Sequence, residues 1–532
     1  MTRVKLGLVG SAISTLALAA CAVATPSLIV VNDNDRLVGS VFRVGYHRIS
    51  EVYLQQVDLG DITVDGLSGL STIDADVAAT RHGDTIQLVA GGTVIGEFDA
   101  PAPRDAHGWA DVTLAAIADA RAASPTLDAA SPEEIYEAVF VAITGDLDDY
   151  SRYVNAEHAR QERAYRDGYG GIGLLLEYDE SGRALVQEVF ADGPAFRAGI
   201  TNGEFIVGVD GEDIIDWTLE TLGSRLRGPT GTDVTVTLVD AGGGTRVLRL
   251  RRERVIPHVV TSRFEDGIVI VRVSRFNAGT ARQLDEAVAA VLDEHGQEAR
   301  GFILDLRGNP GGLLGQSVSV ADRFITRGQI ISTRGRHPDS LQYYEADSDD
   351  LAHGLPMAVL VDGRSASGAE VVAAAMQDSG RAIIVGTTSF GKGSVQTVTR
   401  LPNDGELFLT WSRIYAPSGY TLHRQGVLPT ICTSGSVEDP ELLIAQFRSG
   451  QLDVPATLAP WRLAAPEDEA ALTLLRESCP WQRQDEDIDV MVAKRVLTDE
   501  ALYSQALEAS VQPALAAASG STLARSRDAG SP

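Results

Sequence analysis

The sequence predicts an α/β protein of several domains, in which a mostly helical N-terminal region and a β-rich middle domain precede a core of strand–helix units. The chain has 532 residues, enough for about three domains at roughly 100–200 residues each. Apolar residues make up 44% of it, which is typical of globular proteins and not of disordered or fibrous ones. Short strands and glycine turns dominate the middle of the chain, and apolar strands alternate with helical patterns after it.

The charge and the rare residue types exclude several classes of function. The formal net charge is −28, whereas nucleic-acid binding needs a basic surface. Three cysteines are too few for a disulfide scaffold or a Cys-rich zinc fold, and the nine histidines have no metal-ligand spacing. We therefore expect no metal, no cofactor and no nucleic-acid partner, and a surface that its excess acid keeps soluble.

Residues 1–21 have the pattern of a bacterial export signal. Two basic residues precede an apolar run from Leu6 to Ala24, whose many small residues favour a signal peptide over a transmembrane anchor. Leu18-Ala19-Ala20-Cys21 resembles a lipobox, so we expect Cys21 to carry lipid and to tether the protein to a membrane. The rest of the chain would then be exported to the periplasm or cell envelope.

Residues 22–165 are predicted to be mostly helical, with one β-hairpin. Ser131-Pro132-Glu133-Glu134 is a good helix start, because Ser caps the helix, Pro fits its first turn and Glu favours its positive end. Two apolar runs, Thr85 to Val89 and Thr93 to Phe98, flank Ala90-Gly91-Gly92. This spacing predicts the hairpin.

Residues 166–255 carry short strands and glycine turns whose order resembles that of a PDZ domain. Taken alone, Gly171-Ile172-Gly173-Leu174 is an ordinary glycine turn, and the resemblance depends on the segments that follow it up to Gly211. It implies that the backbone N–H groups of Gly171, Ile172, Gly173 and Leu174 bind the C-terminal carboxylate of a peptide. The peptide would add as a strand to the sheet edge, beside a helix at Leu219 to Leu226.

Residues 256–435 contain three predicted strands whose carboxyl ends carry candidate functional groups. The strands are Phe302 to Leu306, Ala358 to Asp362 and Ala382 to Gly386. Strands joined by helices run parallel, so their carboxyl ends share the sheet edge at which α/β proteins bind ligands. The groups that converge there are a glycine-rich loop with Gly311 and Gly312, Ser367 at a helix start, and Lys392 between glycines.

Other motifs compete in this region, and each fails at one point. Gly386 to Gly393 nearly matches a P-loop, but Gly393 follows the lysine where a metal-binding Ser or Thr is needed. Ser389-Phe390-Gly391-Lys392 matches the S-x-x-K of penicillin-binding enzymes, but its glycine disfavours the helix which that motif requires. From these residues alone, Ser367 as a simple helix cap and Lys392 as a solvated charge also stay open.

Three motifs together resemble the carboxyl-terminal processing peptidases, the tail-specific proteases of family S41. They are Asp305 to Gly312 (DLRGNPGG), Ser365 to Glu370 (SASGAE) and Phe390 to Gln396 (FGKGSVQ). The resemblance runs from about Ser131 to Ile431, with the PDZ-like part inside it, and includes Leu147 to Ser151. The departures are mild: Gly368-Ala369 stands where the family often has Ala-Ser, and Thr430 where it often has Asp.

The resemblance implies a serine endopeptidase in which Ser367 is the nucleophile, Lys392 the general base and Gln396 the residue that orients the lysine. Backbone N–H groups of Gly368 and of Gly311 or Gly312 would hold the oxyanion. The pKa of Lys392 must then fall from about 10.4 to roughly 7–8, and we expect apolar Val371, Val372 and Phe390 to desolvate it. The substrates would be exported proteins or peptides with exposed C-terminal tails, and an activating adaptor is a further candidate partner.

Two other classes of function stay open. A PDZ-based binding protein with little or no peptidase activity is the main alternative, although the presence of both Ser367 and Lys392 favours an enzyme. A nucleotide-binding protein is the other. The near match to a P-loop is not enough for this function, which tight binding of ATP would have to support.

Residues 436–532 are predicted to form a helical extension with a frayed tail. Cys432 and Cys479 are the cysteines left besides Cys21. In an exported protein we predict that they form a disulfide, which would tie this extension to the core. Two buried thiols are the alternative.

Overall fold

The structure is a computed structural model that describes residues 33–191, 193–240, 242–435, 440–452, 454–481 and 487–511. The predicted signal peptide and Cys21 lie outside these residues, as does the predicted frayed tail. Within the described ranges, no helix has both the length and the apolar character needed to cross a membrane.

The N-terminal region is a helical layer with a small antiparallel sheet. Its elements are α1 (Asp33–Val52), α2 (Leu59–Ser68), β1 (Val77–His82), β2 (Thr85–Ala90), β3 (Thr93–Asp99), α3 (Ala106–Ala123), α4 (Pro125–Ala129) and α5 (Pro132–Leu147). The predicted hairpin is β2–β3, and β1 adds a third strand beside β2. The α5 start is a capping box, in which Ser131 N–H donates to Glu134 and Glu134 N–H donates to Ser131.

The middle domain is β-rich, and its two ends meet. Its elements are β5 (Tyr169–Gly171), β6 (Leu174–Tyr178), β7 (Ala184–Val189), α7 (Pro194–Arg197), β8 (Phe205–Val209), β9 (Glu212–Asp213), α8 (Leu219–Leu226), β10 (Asp233–Val239), β11 (Thr245–Arg251) and β12 (Glu253–Val255). The sheet order β11-β10-β8-β7-β6 leaves β6 at an edge. Entry strand β5 pairs with exit strand β12, and β4 (Arg152–Val154) and α6 (Ala156–Asp167) precede the domain.

The core is built on two sheets. Its elements are β13 (Val260–Glu265), β14 (Ile268–Val273), α9 (Thr280–His295), β15 (Gly301–Asp305), α10 (Leu314–Asp322), β16 (Gly328–Arg334), β17 (Gln342–Ala346), β18 (Met357–Val361), α11 (Gly368–Asp378), β19 (Ile383–Gly386), β20 (Ser394–Arg400), β21 (Glu406–Tyr415) and β22 (Ile431–Cys432). The central sheet has the order β13-β14-β15-β18-β19-β22, and all its strands except β13 run parallel. The three predicted strands are β15, β18 and β19, neighbours in this sheet.

The second sheet joins the core to the N-terminal region. Its order is β17-β16-β21-β20, and β4 also pairs with β21. Leu407 and Leu409 of β21 are fully buried in the hydrophobic core of the N-terminal region, together with Phe42 and Phe140. The N-terminal region and the second sheet therefore share one hydrophobic core.

The C-terminal extension is helical and packs on the core. It contains α12 (Pro440–Arg448), α13 (Val454–Leu463), α14 (Glu469–Glu477) and α15 (Ile488–Leu497), followed by helical residues 500–511. A buried ion pair of 2.7 Å joins Arg462 to Asp378 of α11, and a disulfide joins Cys432 to Cys479. The α/β fold class with a helical N-terminal region and a β-rich domain is confirmed.

Candidate active site

A cavity of about 510 Å³ lies beside the loops that follow β15, β18 and β19. All the predicted catalytic groups line it except Gly368: Gly311, Gly312, Ser367, Lys392 and Gln396. Gly368 is the first residue of α11 and follows Ser367 directly. The sheet edge thus brings together residues from three loops that are far apart in sequence.

Ser367 has a strained backbone at the start of α11. Its φ is 55° and its ψ is −111°, a left-handed conformation that non-glycine residues rarely adopt and that clusters at functional sites. Its N–H donates to Glu370 Oε2 at 2.7 Å. This bond fixes the serine where the loop turns into the helix.

The Gly311 backbone packs directly against Ser367. A Cβ on Gly311 would lie 2.7 Å from Ser367 Cβ and 2.9 Å from Gly368 N, so only glycine fits. The Gly311 N–H, however, donates to Asn309 Oδ1 at 2.8 Å and is therefore not available for an oxyanion. Within the described residues, no hydrogen bond is made by the N–H groups of Gly312 and Gly368, which leaves these two as the donors beside Ser367.

Lys392 lies between Gly391 and Gly393, where the backbone of its loop packs closely against the backbone of His423 and Arg424. A Cβ on Gly393 would lie 1.9 Å from His423 N, so this position excludes a side chain. The Lys392 Nζ is 5.1 Å from the centre of the Tyr150 ring. In the part of the chain that the structure describes, no hydrogen bond links it to Ser367 Oγ.

Burial lowers the pKa of Lys392, and the positive charge of Arg152 acts in the same direction. The carboxylates of Glu370, Asp148 and Glu162 oppose this shift. The neutral amine that a general base needs therefore forms at a lower pH than it does for a lysine in water.

The apolar surroundings of the cavity differ from the prediction. Val371 and Val372 are buried in the hydrophobic core and Phe390 is 51% exposed; these three are not among the residues that line the cavity. Its apolar lining consists of Phe276, Pro310, Leu313, Leu314, Val395, Val398, Phe408 and Ile414. They come from four separate segments, which the local sequence around Lys392 does not reveal.

Glu370 connects the serine loop to the lysine loop. Its carboxyl is fully buried. Oε1 accepts from the Ser389 hydroxyl (2.6 Å) and Gly391 N–H (2.6 Å), and Oε2 accepts from the N–H groups of Ser367 (2.7 Å) and Lys392 (2.9 Å). Burial raises the pKa of Glu370, and the hydrogen bonds oppose that shift.

Sequence reasoning assigned no role to Glu370. The signal was present, because Ser-x-x-Glu at a helix start is the spacing of a capping box.

Gln396 is not bonded to Lys392. Its Nε2 donates to Ser394 Oγ at 2.9 Å and to Thr410 Oγ1 at 3.3 Å. Tyr150 lies beside the lysine instead, held by Asp148, whose carboxylate accepts from the Tyr150 N–H at 2.8 Å and the Ser151 hydroxyl at 2.7 Å.

A second cavity of about 150 Å³ lies in the β-rich domain, between β6 and α8. The four residues of the predicted carboxylate loop, Gly171, Ile172, Gly173 and Leu174, line it on one side. Leu219 and Leu226 of α8 line it on the other. Since β6 is at the sheet edge, this groove can accept an added strand.

Two family models match the chain. The model of peptidase family S41 matches residues 267–433, and the model of the PDZ domain matches residues 185–240. The first covers the three loops around the cavity, and the second covers most of the β-rich domain.

Curated relatives match the same part of the chain. A carboxy-terminal-processing protease of Bartonella bacilliformis is 38% identical over 288 residues, which are 54% of this chain and 66% of that protein. The carboxy-terminal processing protease CtpA of Bacillus subtilis is 30% identical over 302 residues, covering 56% of this chain and 64% of that protein. The chain thus spans just under two thirds of the length of these relatives.

Among solved structures, a photosystem II D1 C-terminal processing protease is similar at 23% identity and a TM-score of 0.37, covering 74% of this chain and 92% of that one. The family predicted from the motifs is confirmed by the family models and the curated relatives. The chain thus carries a peptidase family S41 domain around the Ser367 cavity, at residues 267–433, and a PDZ domain before it.

Proposed function

We propose that the protein is a serine endopeptidase with a Ser367/Lys392 dyad, which cleaves exported proteins or peptides and selects exposed C-terminal tails through its PDZ domain. The observation that carries the proposal is that both residues line one cavity and that one buried carboxylate, Glu370, binds the backbone of both. A serine in a strained turn beside a lysine with a lowered pKa fits nucleophilic catalysis.

The reaction begins when Lys392, as the neutral amine, takes the proton of the Ser367 hydroxyl. Ser367 Oγ attacks the peptide carbonyl carbon, and the N–H groups of Gly368 and Gly312 stabilise the oxyanion. When the tetrahedral intermediate collapses, the lysine ammonium protonates the departing amine. Water, deprotonated by Lys392, then hydrolyses the acyl-enzyme and regenerates Ser367.

Substrate binding must also complete the dyad. Lys392 Nζ lies over the Tyr150 ring, and the described residues show no hydrogen bond between it and Ser367 Oγ. Catalytic hydrogen bonds are often loose in free enzymes and tighten in the complex. A rotation of the Lys392 side chain away from the ring would bring the amine to the serine.

The PDZ groove supports the selection of tails. An extended C-terminal segment would pair with β6, and its carboxylate would accept from the loop of Gly171 to Leu174. Lipidation of Cys21 would hold the protein at a membrane of the cell envelope, where exported substrates are available. An adaptor that presents substrates is compatible with this arrangement.

Labelling with a serine-reactive fluorophosphonate, followed by mass-spectrometric mapping, tests the proposal. We expect the modification at Ser367 in the intact protein and its loss in Lys392→Ala. A protein that binds tail peptides but is neither labelled nor able to cleave them would be a PDZ-based binding protein instead. Modification at another serine would refute the dyad.

A further inference from the structure

Arg275 lies beside the catalytic loop without taking part in the chemistry above. The next residue, Phe276, is tied to that loop, because its N–H donates to Gly311 O at 3.0 Å and its carbonyl accepts from Leu313 N–H at 2.9 Å. The Arg275 side chain is exposed and lines the catalytic cavity. Its backbone is therefore fixed one residue away from a contact with the Gly311–Gly312 turn.

The two other arginines of the cavity are compensated by carboxylates. Arg152 pairs with Glu162 at 2.8 Å, and Arg166 pairs with Glu406 at 3.0 Å. A further cation, Lys392, is shifted towards its neutral form by burial.

Among the described residues, Arg275 has no carboxylate within ion-pair distance and no side-chain hydrogen bond. Arginine side chains are positively charged in proteins. Besides Lys392, the cavity next to Ser367 thus carries one positive charge that no described carboxylate compensates, on a chain whose net charge is −28.

We propose that Arg275 binds a carboxylate of the substrate close to the scissile bond, so that the enzyme prefers peptides with an acidic group there. This inference rests on the proposed peptidase function. A guanidinium presents a planar pair of donors that matches a carboxylate. The carboxylate has two sources: an Asp or Glu side chain near the cleaved bond, or the C-terminal carboxylate of a tail only a few residues long.

The test is a set of unstructured substrates that share one apolar C-terminal tail and differ at single positions around the cleavage site. Each position carries Glu, Gln or Lys in turn, because Glu and Gln have nearly the same shape and differ in charge. At one or several of these positions, we expect the wild-type kcat/KM for the Glu substrate to exceed that for the Gln substrate by about 5-fold or more. The ratio should shrink in high salt, which screens an exposed ion pair.

Two variants assign this ratio to Arg275. Arg275→Gln should bring the Glu-to-Gln ratio to about one, and Arg275→Glu should favour Lys instead. Arg282→Gln is the matched control, because Arg282 is an exposed arginine of α9 that pairs with Glu286 and is not among the cavity-lining residues. It should keep the wild-type ratio.

Short substrates separate the two sources of the carboxylate. If the wild type cleaves a short peptide with a free C-terminus faster than the same peptide with a C-terminal amide, and Arg275→Gln cleaves both equally fast, the bound group is the terminal carboxylate. Sensitivity to Glu alone identifies a side chain. Cleavage with equal kcat/KM for Glu, Gln and amide substrates overturns the inference and leaves the peptidase function intact. If no substrate is cleaved at all, the peptidase function fails, and this inference with it.

Discussion

Replacing Glu370 with Gln tests whether one buried carboxylate holds both halves of the active site. The carboxylate accepts from four donors, two on each oxygen. Glutamine has one acceptor oxygen, and its NH₂ group would face two donors. A buried donor left without an acceptor costs about 1–3 kcal/mol of folding free energy. Two such donors should therefore lower the stability of the peptidase core by about 2–6 kcal/mol.

The effect on catalysis should be larger than on substrate binding. If the amide turns towards the Ser367 and Lys392 N–H groups, both loops lose their common anchor, and kcat should fall at least about 10-fold with a smaller change in KM. The assays are steady-state cleavage of an unstructured peptide and thermal unfolding. Glu286→Gln on the exposed face of α9 is the control. Wild-type kcat and wild-type stability in Glu370→Gln would refute the role that we assign to this carboxylate.

Three further predictions concern the base, the C-terminal extension and the groove. The kcat/KM should rise with pH through a transition below 10.5, the ordinary value for lysine, because burial and then Arg152 lower the pKa of Lys392; Arg152→Gln should move that transition to higher pH. Arg476→Ala should lower kcat about 10-fold with KM nearly unchanged, since Arg476 donates to Ser389 O (2.9 Å) and Gln425 O (2.7 Å) beside the lysine loop. Reduction of the nearby disulfide should act in the same direction. Leu219→Asp should weaken binding of a fluorescent tail peptide in an anisotropy titration, because Leu219 lines the groove.

Each of these predictions has a result that would contradict it. A transition that moves to lower pH in Arg152→Gln would show that this arginine does not favour the neutral amine. Arg495→Ala, which removes an exposed arginine of α15, is the control for Arg476→Ala. Equal activity of the two variants would show that the contacts of Arg476 do not contribute to catalysis. Equal loss of tail binding in Val247→Asp, on the opposite sheet edge and 63% exposed, would mean that the groove is not the binding site.

The parallel core could be predicted because its signals are local. Each strand is a short apolar run followed by a glycine-rich loop, so β15, β18 and β19 and the convergence of their loops follow from the order of the residues. The helix of the PDZ groove, Leu219–Leu226, was also predicted with its observed bounds. The sequence does not predict strand β1, because Val77 to His82 contains two alanines and an arginine and lacks a clear apolar alternation.

The details of the site depend on contacts that the sequence does not contain. The side chain of Asn309 accepts a hydrogen bond from the N–H of Gly311, two residues further along the chain. Gly312 is therefore left as the candidate oxyanion donor of the glycine loop. Gln396 lies on β20 and bonds to Thr410 of the paired strand, not to the lysine.

Ser389, the serine of the near match to S-x-x-K, is buried and donates its hydroxyl hydrogen to Glu370. We expect Ser389→Ala to reduce activity in part, without the complete loss expected at the nucleophile.

The most direct test of the dyad is the cleavage rate of an unstructured substrate with an apolar tail by matched serine and lysine variants. Ser367→Ala, Lys392→Ala and Lys392→Arg should each lower the rate by about 1,000-fold or more, with unchanged thermal unfolding. Ser379→Ala, at the other end of the same helix, should cleave at the wild-type rate. Retention of activity in folded Ser367→Ala would contradict the assignment of the nucleophile, and retention in Lys392→Arg would contradict the assignment of the base.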